Sequence, residues 1–237
     1  MSVLRSLFAW LLLGVLLSAM TLVLVALRIV VGDRHRRSAF GRSVIEGFVA
    51  LYVRLSPLYR LRLCGLDHLP VGAVVLVANH ESGIDAPCLM SLRRGARFIV
   101  ASWLFRAPVI GFVMRAGDHI RVSSARPEDR RSTSPVDRAT AALARGESVA
   151  VFPEGDYSEG TMKTFRTGAF VAARRSGAPV VPVRITGAGA AWRPGSWIVQ
   201  GVNEITVEVL PPLAAEVVEE LAPDALAQRV REQIAAA

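Results

Sequence analysis

Apolar positions follow two rhythms along this chain. Residues 6–27 carry no charge and are mostly Leu, Val and Ala, an unbroken run rather than a periodic one. As a helix those 22 residues extend about 33 Å, enough to cross the hydrocarbon core of a bilayer. Ile45, Phe48, Val49, Leu51, Tyr52, Val53 and Leu55 then form a largely apolar helical stretch that stops before Pro57. It reads as a core helix or as an amphipathic helix lying in a membrane interface, and the interface is the expectation. Beyond it the rhythm changes to short β-branched runs at 73–78, 148–152, 178–183 and 204–210, separated by helical segments. That alternation predicts an α/β domain with a single mixed sheet and helices on both sides. Leu226, Val230 and Ile234 recur every four residues, as in a closing helix docked on a core.

The expected division is a membrane anchor with a basic juxtamembrane segment at 1–40 and one domain at 41–237, a normal domain length. The apolar run exceeds the core of a usual signal peptide, and no small-residue cleavage site with polar sequence follows it, so an uncleaved transmembrane helix is expected. Arg5 precedes the run and Arg28, Arg34, Arg36 and Arg37 follow it. The positive-inside rule then puts the domain on the cytoplasmic face of the cytoplasmic membrane.

Charge sharpens this picture. The chain has a net charge of +8, with eight arginines against two acids between residues 28 and 62 and seven acids against two arginines from 204 to 237. The basic part adjoins the anchor, where anionic membrane lipids attract it. No nucleic-acid module accompanies these arginines, so nucleic acid is not an expected partner. Cys64 and Cys88 have no metal-ligand spacing, and cytoplasmic exposure disfavours a disulfide.

Candidate chemistry sits where two of the apolar runs end. Asn79-His80-Glu81-Ser82-Gly83-Ile84-Asp85 follows the first. Ser82 reads as a helix N-cap with Asp85 three residues on, and the helix is expected to run to Arg93-Arg94 with Gly95 after it. On one regular helix, residues five apart point roughly 140° away from each other. His80 therefore meets Asp85 only from the turn before the helix. A carboxylate on one imidazole nitrogen fixes the tautomer and raises the basicity of the other, which makes a general base for an alcohol. The competing reading is a chance pairing in which Asp85 is only a cap. After the run at 148–152, Pro153 turns the chain out, Glu154 supplies a carboxylate and Gly155 permits close backbone approach.

The order and separation of these blocks resemble the glycerolipid acyltransferases, which transfer a fatty acyl group from a thioester carrier to a lysolipid hydroxyl. Phe165-Arg166-Thr167-Gly168 and the proline-bracketed run at 178–183 match two further elements of that family. The resemblance spans about residues 65–212 and implies His80 and Asp85 as the catalytic pair. It implies Glu154 and Gly155 around the acceptor, with Arg121 or Arg166 on its phosphate. The family's phosphate-binding arginine would fall near Ser123-Ser124, where the nearest cations are Arg121 and Arg126. Asp156-Tyr157 replaces its usual Thr-Arg.

The implied activity is 1-acylglycerol-3-phosphate O-acyltransferase, with acyl-CoA or acyl-carrier protein as donor substrate, a lysophospholipid as acceptor, and no cofactor or metal. No serine or cysteine nucleophile motif is present, so direct transfer is expected. Three alternatives stay open: an acceptor without phosphate such as a lyso-aminolipid, a lysolipid hydrolase or transacylase, and a catalytically silent membrane-binding protein.

Overall fold

In the computed structural model, which describes residues 2–122, 134–158, 161–192 and 202–237, the uncharged run forms α1 (Ser2–Val30). Asp33 then accepts the backbone N–H of Arg36 at 2.7 Å and caps α2 (Arg34–Leu55), which doubles back along α1. The expected division at residue 40 falls inside α2. Nor is α1 a free stalk. Ser6, Ala9, Met20 and Leu24 are buried on one side, while Leu4, Leu11, Leu22 and Ile29 are exposed. It remains long and apolar enough to cross a membrane. At Gly41 a Cβ would lie 2.7 Å from the carbonyl oxygen of Ala116, so only glycine lets α2 pass this close to its neighbour. Ile45 and Val53 of α2 are core residues, as the core-helix reading requires, whereas Leu51 and Leu55 are exposed.

Among the described residues, seven strands form one sheet in the order β1-β7-β6-β2-β5-β3-β4. They are β1 (Tyr59–Cys64), β2 (Val75–Ala78), β3 (Arg97–Ala101), β4 (Ile120–Val122), β5 (Val149–Val151), β6 (Val180–Thr186) and β7 (Asn203–Val209). The five strands from β6 to β4 are mutually parallel, while β7 runs antiparallel to β6 with β1 parallel beside it. This is the expected mixed sheet. Alternate residues of β2 feed two cores. Val75 and Val77 join the core under α5 (Pro135–Ala144), α6 (Gly168–Ser176) and the two C-terminal helices Ala215–Glu220 and Pro223–Ala236. Leu76 and Ala78 join the one under α1, α2, α3 (Asp85–Met90) and α4 (Pro108–Ala116). A parallel strand covered on both faces has no polar side, which is why β2 reads as a continuous apolar run.

The helix after the histidine motif is shorter than expected. It begins at Asp85, with Ile84 as N-cap, and ends at Met90. There the bonds tighten to an i→i+3 pattern, Leu92 N–H to Leu89 and Arg93 N–H to Met90, and Arg93 takes φ +53°. Arg94 donates to the carbonyls of Pro70 and Gly72 rather than serving the helix end.

A buried arginine–carboxylate cluster ties α2 to the N-terminal edge of the parallel strands. Arg42 donates to Gly95 O, Gly117 O and, at 2.6 Å, to Glu147, while Arg97 pairs with both Glu147 and Asp118. Arg42, counted above with the lipid-facing cations, is therefore a core residue. Beside the cluster, buried His119 accepts the Phe98 N–H at 3.0 Å through Nδ1. Burial, and then the charges of Arg42 and Arg97, push its pKa down to about 3. The unfolded chain binds this proton near pH 6.5, far above the folded value. Stability present above about pH 6.5 is therefore lost progressively as pH falls towards 3. His119→Gln keeps an acceptor for Phe98 and should show a flatter decline between pH 7 and pH 5 in denaturant unfolding. Identical declines would contradict a buried neutral imidazole.

Candidate active site

The site forms where β2 ends, and backbone pairing delivers it. The Asn79 side chain copies a peptide group: its amide donates to Ile185 O and its oxygen accepts the Ile185 N–H, both at 2.8 Å. This extends the β2–β6 ladder one residue and holds the chain straight up to His80. Three further bonds fix the His80 backbone. Its N–H donates to Glu154 Oε1 at 2.8 Å, and its carbonyl accepts the backbone N–H and the hydroxyl of Ser158.

The side chain is set by Asp85. Asp85 is fully buried, and its Oδ2 accepts His80 Nδ1–H at 2.8 Å, Glu81 N–H at 2.6 Å and Ser82 N–H at 2.7 Å. Its Oδ1 has no partner among the described residues, and there Oδ2 carries the whole network. Half of the expected capping box is thus realised, with the carboxylate reaching back to the N–H of Ser82. The other half is not, because the Ser82 hydroxyl donates to Trp192 O at 2.7 Å. His80 lies before the helix and Asp85 at its first residue, as their pairing requires. The imidazole stacks on Phe152 (centroids 4.2 Å apart, planes 18°) and lies beside Tyr157 at 4.5 Å. Donation from Nδ1 leaves Nε2 as the nitrogen able to take a proton.

Glu154 ties two loops together. Both of its oxygens accept backbone N–H groups, from His80 and from Lys163. At Gly155 φ is +76°, and a Cβ there would stand 2.5 Å from the Arg166 guanidinium carbon. Glycine therefore leaves room for the exposed Arg166 to lie over the Pro153–Glu154–Gly155 turn, beside the histidine loop. His80, Asp85, Glu154, Gly155 and Arg166 come together. Arg121 stands apart: it is exposed on edge strand β4, with β3 and β5 between it and β2, a lateral offset of about 14 Å. Ser123, Ser124 and Arg126 lie outside the described residues.

Phe152, Tyr157, Ser158 and Trp192 complete the site around the candidate residues. Phe152 belongs to the Phe152-Pro153-Glu154-Gly155 motif and Tyr157 to the Asp156-Tyr157 replacement, but nothing in their spacing, or in that of Ser158, shows that they converge on His80. Trp192 is distant in sequence, and a Cβ on Gly83 would touch its ring at 3.1 Å. The rim is acidic as well as basic. Burial, with Asp85 and Glu154 nearby, raises the Glu81 pKa against the opposing effects of the Gly189 N–H and Arg184. An apolar cavity of about 140 Å³ opens beside the loop, walled by Trp10, Leu13, Phe48, Tyr59, Ile84 and Trp192. That volume is close to the ~150 Å³ of a cavity that admits benzene, so it holds a short apolar segment rather than a whole fatty chain.

The Acyltransferase family profile matches residues 60–186. A chloroplastic 1-acyl-sn-glycerol-3-phosphate acyltransferase of Brassica napus is 30% identical over 76% of this chain and 52% of its own length. One from Chlamydomonas reinhardtii is 31% identical over 86% of this chain and 62% of its own. The chain thus spans about half the length of the curated relatives it matches. The crystal structure of the 1-acyl-sn-glycerophosphate acyltransferase from Thermotoga maritima shares the fold, with TM-score 0.81 at 20% identity over 99% of this chain and 94% of that one.

Removing the Asp85 carboxylate strands three donors at once, one buried and two partly buried. Asp85→Ala should lower unfolding stability by at least about 2 kcal/mol, the scale of one lost hydrogen bond to a charged group. It should also speed amide hydrogen exchange at Glu81 and Ser82. Unchanged exchange at both amides would show that the carboxylate does not hold this turn.

Proposed function

The chain belongs to the acyltransferase family, and on that premise we propose that it transfers a fatty acyl group from a thioester to the hydroxyl of a lysophospholipid. The acceptor we assign is 1-acyl-glycerol-3-phosphate and the product phosphatidate. The observation that carries this reading is the 2.8 Å contact of His80 Nδ1 with buried Asp85, which leaves Nε2 as the base.

In this mechanism Nε2 takes the proton of the acceptor hydroxyl as its oxygen attacks the thioester carbonyl. Asp85 holds the ring and stabilises the imidazolium that forms. The tetrahedral intermediate then collapses, the C–S bond breaks, and the carrier leaves as a thiolate that receives the proton from His80. General-base assistance of this kind contributes typically 10²–10⁴ in rate. Acyl-CoA and acyl-carrier protein both supply the thioester the chemistry needs, so no cofactor or metal takes part. The apolar cavity beside Ile84 receives the end of an acyl chain nearest the reacting carbonyl.

Arg166 is the better phosphate ligand of the two arginines, because its guanidinium lies over the turn that Glu154 ties to His80. The enzyme works at a membrane. Exposed Trp103, Val109 and Ile110 add to the apolar surface of α1, and the arginines that follow α1 support a cytoplasmic orientation of the domain. A second reading, an amine-bearing acceptor, draws on the exposed Asp156 and on Glu81 at the same rim.

Acylation of lysophosphatidate and of a lyso-aminolipid, measured side by side, separates the two readings. Arg166→Ala should lower kcat/KM for lysophosphatidate roughly ten- to hundred-fold, the equivalent of about 1.5–3 kcal/mol, and leave the lyso-aminolipid unaffected. Arg121→Ala should have a smaller effect. Equal, small effects of both substitutions would sink the phosphate assignment, and a gain in lysophosphatidate acylation on Asp156→Thr would favour the amine.

A further inference from the structure

A second concave site lies at the far end of α1 from the histidine loop. It is a pocket of about 510 Å³ bounded by the end of α1, the start of α2, α4 and the approach to β4. That volume is well within the ~300–1,000 Å³ of ordinary ligand pockets. The two sites occupy opposite edges of the sheet. His80 follows the C-terminal end of β2, whereas Asp118 and His119 of the pocket precede the N-terminal end of β4, in the same parallel set.

Its polar lining is strongly one-sided. Arg28, Arg34, Arg37, Arg115 and Arg138 face a single carboxylate, Asp118. That carboxylate is already engaged by buried Arg97 at 2.9 Å, while Arg34 and Arg138 stand farther off at 3.6 and 4.0 Å. Arg37 and Arg115 donate to the carbonyls of Val31 and Phe105, which aims them without neutralising them. Arg28 has no carboxylate partner among the described residues. Five guanidiniums around one engaged carboxylate is an arrangement completed by an anion, and planar guanidinium forks match phosphate oxygens.

The remaining walls say which anion. Leu24, Leu27, Phe105 and Phe112 line the same pocket, continuous with the apolar face of α1. A free inorganic ion gains nothing from that wall, whereas a phosphate bearing acyl chains has its charge and its hydrocarbon met together. With α1 taken as a membrane helix, the pocket lies where the apolar run gives way to arginine, the level of the headgroups.

The geometry points to a second lipid site, in which this arginine pocket binds the phosphate headgroup of one anionic phospholipid remote from the acyl-transfer centre. Such a lipid would fix the register of α1 and α2 against the domain, because it contacts both helices and α4 at once.

The test is native mass spectrometry of the full chain in detergent, titrated with dihexanoyl phosphatidylglycerol. Binding is counted directly, so the outcome depends neither on acyl transfer nor on whether α1 crosses a bilayer. The wild type should take up one such lipid. Arg28→Gln with Arg34→Gln, both on exposed side chains, should weaken uptake by about ten-fold or more. Arg54→Gln with Arg60→Gln removes the same charge at the opposite end of α2 and on β1, and should bind as the wild type does. Inorganic phosphate should not displace the lipid, and dihexanoyl phosphatidylcholine should bind weakly. Equal loss in the two double variants would reduce the effect to diffuse charge. Full displacement by phosphate, equal uptake of phosphatidylcholine, absence of a one-to-one adduct, or preferential capture of acyl-carrier protein would each overturn the proposal.

Discussion

A carboxylate taken wholly out of water is costly unless donors meet it, and the turn from Asn79 to Asp85 is arranged around meeting one. Asp85 Oδ2 gathers two successive backbone N–H groups and the imidazole N–H. One oxygen therefore shapes the loop and orients its base, and neither role can change without the other. Glu154 repeats the device from the neighbouring strand end, gripping His80 N–H with one oxygen and Lys163 N–H with the other. Between the two carboxylates His80 has almost no backbone freedom. Phe152 and Tyr157 then restrict the ring. On the proposed mechanism, an imidazole held this way needs little reorganisation to take a proton, which is the condition for efficient positioning.

The same loop is where the apolar N-terminus reports to the site. Trp192 receives the Ser82 hydroxyl through its carbonyl, rests against Gly83, and meets Trp10 of α1 edge-on at 5.9 Å. The helix that presents apolar surface outward thus touches, through Trp192, the turn that holds His80 and Asp85. The cavity beside Ile84 lies in that junction. At the other end of the hairpin, Arg42 carries positive charge into the core and locks α2 to the sheet through Glu147. Both helices also contribute residues to the core on that face of the sheet, Met20 and Leu24 from α1 and Ile45 from α2.

What could be read from the sequence was local or periodic. Runs buried on both faces announce themselves as unbroken apolar stretches, so β2, β5 and β6 were legible, and β7 was legible from its alternation of Ile205, Val207 and Val209 with polar residues, but its reversal was not. His80 and Asp85 were legible because a five-residue separation forces one of them out of the helix. The shorter α3 was not, because its end depends on Arg94 reaching the carbonyls of Pro70 and Gly72, a tertiary contact. Arg42 reads like any other juxtamembrane cation until its distant partner Glu147 is placed beside it. Trp192 lies more than a hundred residues from the loop it supports, and no spacing rule reaches that far. Glu154 was found by type and place, but its engagement with two backbone amides is visible only in three dimensions.

The central claim is that His80 is the base of a direct acyl transfer. Initial rates of phosphatidate formation from acyl-CoA and lysophosphatidate, with products resolved by mass, test it in wild-type and His80→Ala protein at matched folded concentration. The account predicts turnover by the wild type and a loss of about 10²–10⁴ in the variant, the range of general-base assistance. Phosphatidate formed by His80→Ala at the wild-type rate would contradict it.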